Sequence, residues 1–389
     1  MKDKEHRKYQ RLFKIARALG KPIVCAKYHY SYQSFKDVEG PYLLLANHTT
    51  DIDSPFVGIA SGRQMYFVAT ENLIRMPKFG KLIKDVFAPI IHYKGTVGVK
   101  TTKEILKHLR SGHSVGMFPE GNRTFSGKTL PIGEATGKLA RMCGAKLVTF
   151  RIRGGYFTSP RWHKKDRVGR VKGEVAGVYT HEQLMEMTPE EVNDLIARDL
   201  YVDAYADQAK DPVPYKGEDI AEALESAIFL CPECGKIGGL HSKGDRFFCD
   251  CGFESVMDEY GYLTDEKRIK RTVTELDEAQ KAYIAKLLEN AGDEELFSDE
   301  VSEEIVGKDH EIEKITPVRF RAFKDRYVIN DRVMSFDDIE AIAINQRNLL
   351  MIHVRGEKPH YQYRGQISFN ALKYLYLFRD VKGSVTGLL

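Results

Sequence analysis

The chain reads as an α/β protein in several parts: a front domain with a largely parallel sheet flanked by helices, a small cysteine-bearing ribbon, and a C-terminal β-rich domain closed by a helix. Three observations predict this. Between residues 42 and 152 short apolar strands alternate with helical patterns, the signature of strand–helix–strand units. Two close cysteine pairs follow, at Cys231/Cys234 and Cys249/Cys251. Past residue 315 short strands succeed one another and end in an apolar helical run. A chain of 389 residues also exceeds what one core usually serves.

Taken in order, residues 1–24 carry a basic amphipathic helix, with Leu12, Phe13, Ile15 and Leu19 among Lys and Arg. It suits packing on its own domain and lying in a membrane interface equally well. YLLLA is a strand, and SPFVGIAS a helix with Ser54 at its cap and Pro55 in its first turn. QMYFVAT and APIIHY are strands. Thr101 and Glu104 are spaced as a capping box for TKEILKHLR. SVGMF, the helix GEATGKLARMCG and the strand AKLVTFRI complete the alternation, and a further helix begins at Thr188-Pro189-Glu190-Glu191. The expected domains are 1–212, a ribbon over 213–265, a helical and acidic linker over 266–314, and the small β-domain over 315–389.

Net charge is only +4, but it is unevenly spread. Residues 1–30 hold nine Lys/Arg against two acids, and residues 289–313 hold eleven acids against one Lys. A basic front with apolar side chains suits an anionic membrane surface or a phosphorylated substrate. No apolar run approaches the roughly 20 residues of a membrane span. No signal-peptide core is visible, and six cysteines in so long a chain are no disulfide scaffold. The expected location is the cytoplasm, peripheral to the inner face of the membrane.

Two motifs carry chemistry. In NHTTDID, His48 follows a strand and precedes a helix, on the sheet edge where ligands bind in open α/β folds. On a continuous helix His48 and Asp53 would point roughly 140° apart. A strand-to-helix turn can instead bring them together, so that the carboxylate accepts the imidazole N–H, fixes the tautomer and stabilises the imidazolium. Asp51 reads as a helix-start residue. FPEGNRT also follows a strand, so it shares that edge. Its Glu120, Gly121, Asn122 and Arg123 form a polar turn, with a guanidinium suited to gripping a phosphate monoester. GHSVG at Gly112–Gly116 imitates a nucleophile elbow, but a helix precedes it and a strand follows, the reverse of what that chemistry needs. With no serine nucleophile, His48 would activate a hydroxyl of the substrate.

These two motifs resemble those of the glycerolipid acyltransferases, the PlsC-like lysophosphatidic acid acyltransferases, over about residues 25–180. NHTTDID matches their His-four-residues-Asp motif and FPEGNRT their F-P-E-G-x-R motif. A third block usually ends in Arg, and APIIHYKG carries Lys94 there, a point charge in place of a fork. A fourth block usually has a Pro before its apolar strand, and KLVTFRIRGG lacks it. The resemblance implies transfer of a fatty acyl group from an acyl-CoA or acyl carrier protein thioester to the free hydroxyl of lysophosphatidic acid, in phospholipid synthesis. His48 would be the general base and Asp53 its orienter. Glu120, Gly121 and Arg123 would hold the acceptor, Arg123 and Lys94 on its phosphate. No catalytic cofactor is implied.

CPECG and CDCG supply four thiolates, as a tetrahedral structural zinc requires, through Cys231, Cys234, Cys249 and Cys251. Such ribbons also bind nucleic acid or protein, so the rival reading is a zinc-ribbon binding module on an inactive acyltransferase fold. The stretch between the pairs is only mildly basic and offers no dense patch, so nucleic acid is not expected. Cys25 and Cys143 lie in apolar settings and read as core. The C-terminal β-domain resembles pleckstrin-homology modules only in its order of elements and is assigned no ligand.

Overall fold

The computed structural model describes residues 3–71, 73, 79–92, 98–307, 311–357, 360–366 and 369–383. Among the described residues the front domain has seven strands: β1 (Ser31–Tyr32), β2 (Tyr42–Ala46), β3 (Tyr66–Thr70), β4 (Ile90–His92), β5 (Val115–Met117), β6 (Lys146–Arg153) and β7 (Lys172–Tyr179). They form one sheet in the order β1-β7-β6-β2-β5-β3-β4. β6, β2, β5, β3 and β4 run parallel, while β7 returns antiparallel to β6. All five residues of β2 are buried, which is why YLLLA is apolar without alternation: helices cover both faces of a central parallel strand.

The helices are α1 (Asp3–Lys27), α2 (Asp53–Ser61), α3 (Phe79–Phe87), α4 (Val99–Arg110), α5 (Ala135–Met142), the short α6 (Gly155–Thr158) and α7 (His181–Met185), α8 (Pro189–Leu200) and α9 (Ala204–Lys210). Pro189 sits in the first turn of α8, capped by Thr188, whose hydroxyl and Glu191 form a reciprocal box. Two expected caps differ. α4 begins after Gly98, with Thr101 buried inside it beside His92 and Glu104 paired with Lys107. α2 begins at Asp53, one residue before the expected Ser54 cap, because the Asp53 carboxylate takes the backbone N–H groups of Thr49 and Thr50.

α1 is longer than its amphipathic core suggested. One face packs on α2, where Phe13 is buried and Arg17 donates to the Ile59 carbonyl. The opposite face leaves Ile15 59%, Leu19 67% and Ile23 67% exposed. Four-residue spacing puts the three on one side of the helix, with the exposed Arg11, Lys14 and Lys27 on the same element. Among the described residues no helix is long and apolar enough to cross a membrane.

After α9 the ribbon folds as a five-stranded antiparallel sheet of β8 (Leu240–Lys243), β9 (Arg246–Cys249), β10 (Glu254–Met257), β11 (Leu263–Asp265) and β12 (Lys270–Arg271). α10 (Val273–Asn290) follows, capped by Thr272. The stretch expected to be an acidic linker is in fact the long strand β13 (Phe297–Val306). It lies inside a seven-stranded antiparallel sheet with β14 (Ile312–Ala322), β15 (Arg326–Ile329), β16 (Arg332–Ser335), β17 (Ile339–Asn345), β18 (Leu349–Val354) and β19 (His360–Arg364), in the order β16-β15-β14-β13-β19-β18-β17. The C-terminal domain therefore starts near Phe297, before the expected boundary at 315. Neighbouring elements neutralise the acids of β13: Glu303 meets Arg332, Glu304 meets Arg364 at 2.7 Å, and Asp299 meets Lys373 at 2.7 Å.

The closing helix α11 (Ala371–Lys382) is buried from Ala371 to Phe378. It lies between that sheet and α10, with Tyr374 bonded to Asp299 at 2.6 Å and Tyr376 to Asp277 at 2.7 Å. Phe125, Tyr156, Phe157 and Trp162 of the front domain, the ribbon interior and the C-terminal domain share one continuous apolar cluster. Cys143 is buried and Cys25 half-buried, both with core neighbours.

Candidate active site

β2 and β5 are adjacent and parallel, so the loops after Ala46 and Met117 leave the sheet at the same edge. Asn47 fixes the first loop: its side-chain amide donates to the Ile152 carbonyl at 2.9 Å and accepts from the Ile152 N–H at 2.7 Å, joining β2 to β6 beyond the end of the ladder. The chain then turns so that His48 Nδ1 lies 2.8 Å from Asp53 Oδ2. Asp53 is fully buried. Its Oδ2 also accepts from the N–H groups of Thr49 (2.6 Å) and Thr50 (2.9 Å), and its Oδ1 from their hydroxyls (3.1 and 2.7 Å). Five donors thus converge on one carboxylate, the condition for burying such a group without a partner cation.

An ionised carboxylate only accepts, so the network assigns the proton to His48 Nδ1 and leaves Nε2 bare. Below the ring, Phe118 stacks at 4.6 Å between centroids. The imidazole is therefore fixed in direction and tautomer, with a quarter of its side chain exposed. Gly155, the first residue of α6, permits this packing: a Cβ there would lie 2.2 Å from Thr49 Oγ1.

In the second loop Gly121 adopts φ 69° and its N–H bonds the Phe118 carbonyl, a turn that favours glycine. Glu120 faces inward rather than into the cleft. Its two carboxylate oxygens accept from the N–H groups of His48 and Leu130, each at 2.6 Å. It is a strut between the two loops. Burial pushes its carboxyl up to about 8, against the pull of those two N–H bonds. Arg123 lines the cleft, largely buried, with its Nη1 3.4 Å from the exposed Asp51 carboxylate. Lys94 lies outside the described residues.

His48, Gly121 and Arg123 open onto a cavity of about 600 Å³. Among the described residues, all that line it are polar or glycine. Among the described residues, four cationic side chains, Arg123, Arg161, Lys164 and Arg347, face it against one carboxylate, that of Asp51. Arg347 belongs to the β17–β18 turn, Asn345 to Asn348, which forms part of the wall. Arg161 joins the pieces: it donates to the carbonyls of Arg123 (2.8 Å), Ile344 (2.9 Å) and Gln346 (3.0 Å), and to Asn122 Oδ1 (3.3 Å). Burial, then the charge of Arg123, pushes its guanidinium down to about 9.

Sequence reasoning anticipated the His48–Asp53 contact and the shared edge. It missed the donors Thr49 and Thr50 and the stitch at Asn47, although all three lie within the quoted motif. It also missed Arg161 and the 345–348 turn. Nothing local marked the turn.

Away from this cleft, the sulfurs of Cys231, Cys234, Cys249 and Cys251 all lie within 4.8 Å of one another. Cys231 and Cys251 are 3.8 Å apart, Cys234 and Cys249 3.9 Å. Four sulfurs each about 2.3 Å from a zinc ion in a tetrahedron stand about 3.8 Å apart. The cluster can therefore hold a metal.

Residues 17–153 match the family model described as Acyltransferase, a stretch that contains both loops of the cleft. The match lies within the front domain and reaches neither the ribbon nor the C-terminal domain. The fold is similar to the crystal structure of the 1-acyl-sn-glycerophosphate (LPA) acyltransferase PlsC from Thermotoga maritima, with 18% identity and a TM-score of 0.41, over 51% of this chain and 80% of that one. No curated protein matches the chain.

Proposed function

We propose that this chain, whose front matches the acyltransferase family model, moves a fatty acyl group from an acyl-CoA or acyl carrier protein thioester to the free hydroxyl of lysophosphatidic acid. The carrying observation is the oriented His48–Asp53 pair opening onto a polar, cationic cavity. His48 Nε2 takes the proton of the acceptor hydroxyl while its oxygen attacks the thioester carbonyl. The tetrahedral intermediate collapses with cleavage of the C–S bond, and the imidazolium returns the proton to the departing thiolate. Asp53, paired at 2.8 Å, stabilises the imidazolium between the two events. Arg123 holds the acceptor phosphate, the backbone of Gly121 shapes its cradle, and Glu120 keeps the two loops in register. The described residues that line the cavity are polar or glycine, so it suits the headgroup, and the acyl chains remain outside.

The exposed stripe of α1 supports a place for those chains. We infer that Ile15, Leu19 and Ile23 enter the interface of an anionic membrane while neighbouring basic residues meet its headgroups, as a peripheral enzyme on the inner face would require. The sulfur spacing supports one structural zinc, whose four thiolate ligands leave no position for substrate.

Purified protein incubated with a long-chain acyl-CoA and lysophosphatidic acid should yield phosphatidic acid and free thiol. His48→Ala should lower that rate about 100- to 10,000-fold while melting as wild type does. Wild-type rates in His48→Ala would refute the mechanism, and no acylation of any lysophospholipid by wild type would refute the function.

A further inference from the structure

The matched family region ends at residue 153, yet the cavity does not. Its wall continues into the β17–β18 turn, about 300 residues along the chain from His48. Arg347 in that turn donates through Nη1 to the Trp162 carbonyl at 2.7 Å, which anchors one corner of the guanidinium. The rest of its fork has no described partner and belongs to a residue that lines the cavity. Burial and the nearby charge of Arg123 hold the guanidinium below the usual arginine range. Arg123 in turn has a buried Nη1 with no hydrogen-bond acceptor in good geometry, only the Asp51 carboxylate at 3.4 Å, and that carboxylate is 85% exposed. Two guanidinium groups thus share one small polar space, from two different domains, with one weak counter-charge between them. Such repulsion is relieved by an anion able to accept from both.

Arg161 is the reason the arrangement persists. Two of its bonds reach the Asn122–Arg123 loop and two reach the Ile344 and Gln346 carbonyls, so the turn is held against the loop that carries the first arginine.

We infer that Arg347 is a second substrate-binding arginine of this site: with Arg123 it clamps a phosphate monoester from two sides, and the C-terminal domain thereby completes the acceptor pocket. This rests on the acyltransferase reading only for what the phosphate is attached to. A monoester has three non-bridging oxygens to share between two forks, and a diester has two, so the clamp selects the former. Arg161 is a positioning residue in this scheme.

The test is calorimetry of glycerol 3-phosphate, the headgroup without its chain, on the full-length protein. Wild type should bind it, and should bind the diester glycerophosphocholine far more weakly. Arg347→Gln keeps an N–H for the Trp162 carbonyl but loses the charge, and should weaken glycerol 3-phosphate binding about 10- to 100-fold. Arg347→Lys, with charge but no fork, should fall between. In turnover, Arg347→Gln should raise KM for lysophosphatidic acid and leave KM for the thioester unchanged. Undiminished binding in Arg347→Gln, no binding in wild type, or equal binding of the diester would each overturn the clamp. Should the glutamine variant fail to fold, Arg347→Lys decides, since wild-type affinity there removes the need for a fork. Binding that depends on Arg347 in a protein that acylates no lysophospholipid would uphold the clamp and defeat the acyltransferase reading.

Discussion

Asp53→Asn tests the orienting carboxylate with little steric change. Asp53 Oδ2 faces three N–H donors and Oδ1 faces two hydroxyls. An asparagine placed with its oxygen at the Oδ2 position keeps all three N–H bonds. Its NH2 then meets the hydroxyls of Thr49 and Thr50, which can rotate to accept. The fold and the His48 tautomer should therefore survive, and what disappears is the charge. At the observed 2.8 Å separation, an imidazolium and a carboxylate attract by about 6 kcal/mol at an effective dielectric of about 20. If about half a proton has passed to His48 at the transition state, about 3 kcal/mol is lost, or about 100-fold in kcat. The assay is thiol release from a long-chain acyl-CoA at saturating lysophosphatidic acid, beside a melting curve. A variant within about threefold of wild-type kcat would show that the carboxylate only shapes the loop. So would a variant whose loss lay wholly in KM.

Glu120 makes a pH prediction. Its folded carboxyl is pushed to about 8, well above the 4.5 of a free side chain, so between those values the folded state keeps a proton that the unfolded chain releases. Stability from this group is full below about 4.5 and is lost as pH rises through about 8. Melting temperature in that window should fall less steeply in Glu120→Gln than in wild type, and parallel curves would refute the assignment. For the cysteine cluster, elemental analysis should find about one zinc per chain. Cys234→Ser should lose the metal and melt lower while keeping part of its transferase activity. Iron or no metal in wild type would overturn the zinc. Finally, Leu19→Glu combined with Ile23→Glu should abolish sedimentation with anionic vesicles and leave the melting temperature unchanged, since both side chains face solvent. Undiminished sedimentation would remove α1 from the membrane.

The front domain was legible because its signal is local. Uninterrupted apolar runs such as YLLLA become buried parallel strands, and two polar loops following such runs must share an edge when their strands are neighbours. His48 and Asp53 could be paired from sequence because a strand-to-helix turn is the one geometry that unites them. What stayed hidden depends on distant partners. The acids of β13 read as a solvated linker, and only Arg332, Arg364 and Lys373, far along the chain, make them a strand. Glu120 read as a substrate ligand because an acid in a polar turn normally faces out, whereas two backbone N–H groups draw this one in. Arg347 had no sequence signal, since a polar turn between strands is the commonest kind of loop.

The reach of Arg161 from the Asn122 loop to Ile344 also has a consequence for how the molecule is made. Chains of this size fold domain by domain, N-terminal part first. On the ribosome, His48, Asp53 and Arg123 have all emerged long before the β17–β18 turn and the buried helix α11 that backs its sheet. The nascent front domain therefore passes through a stage in which its base is formed but its cavity lacks a wall, and Arg161 has no Ile344 or Gln346 carbonyl to meet. A full polar pocket arises only when the sheet that carries the β17–β18 turn docks, so synthesis itself withholds the finished site until that turn has emerged.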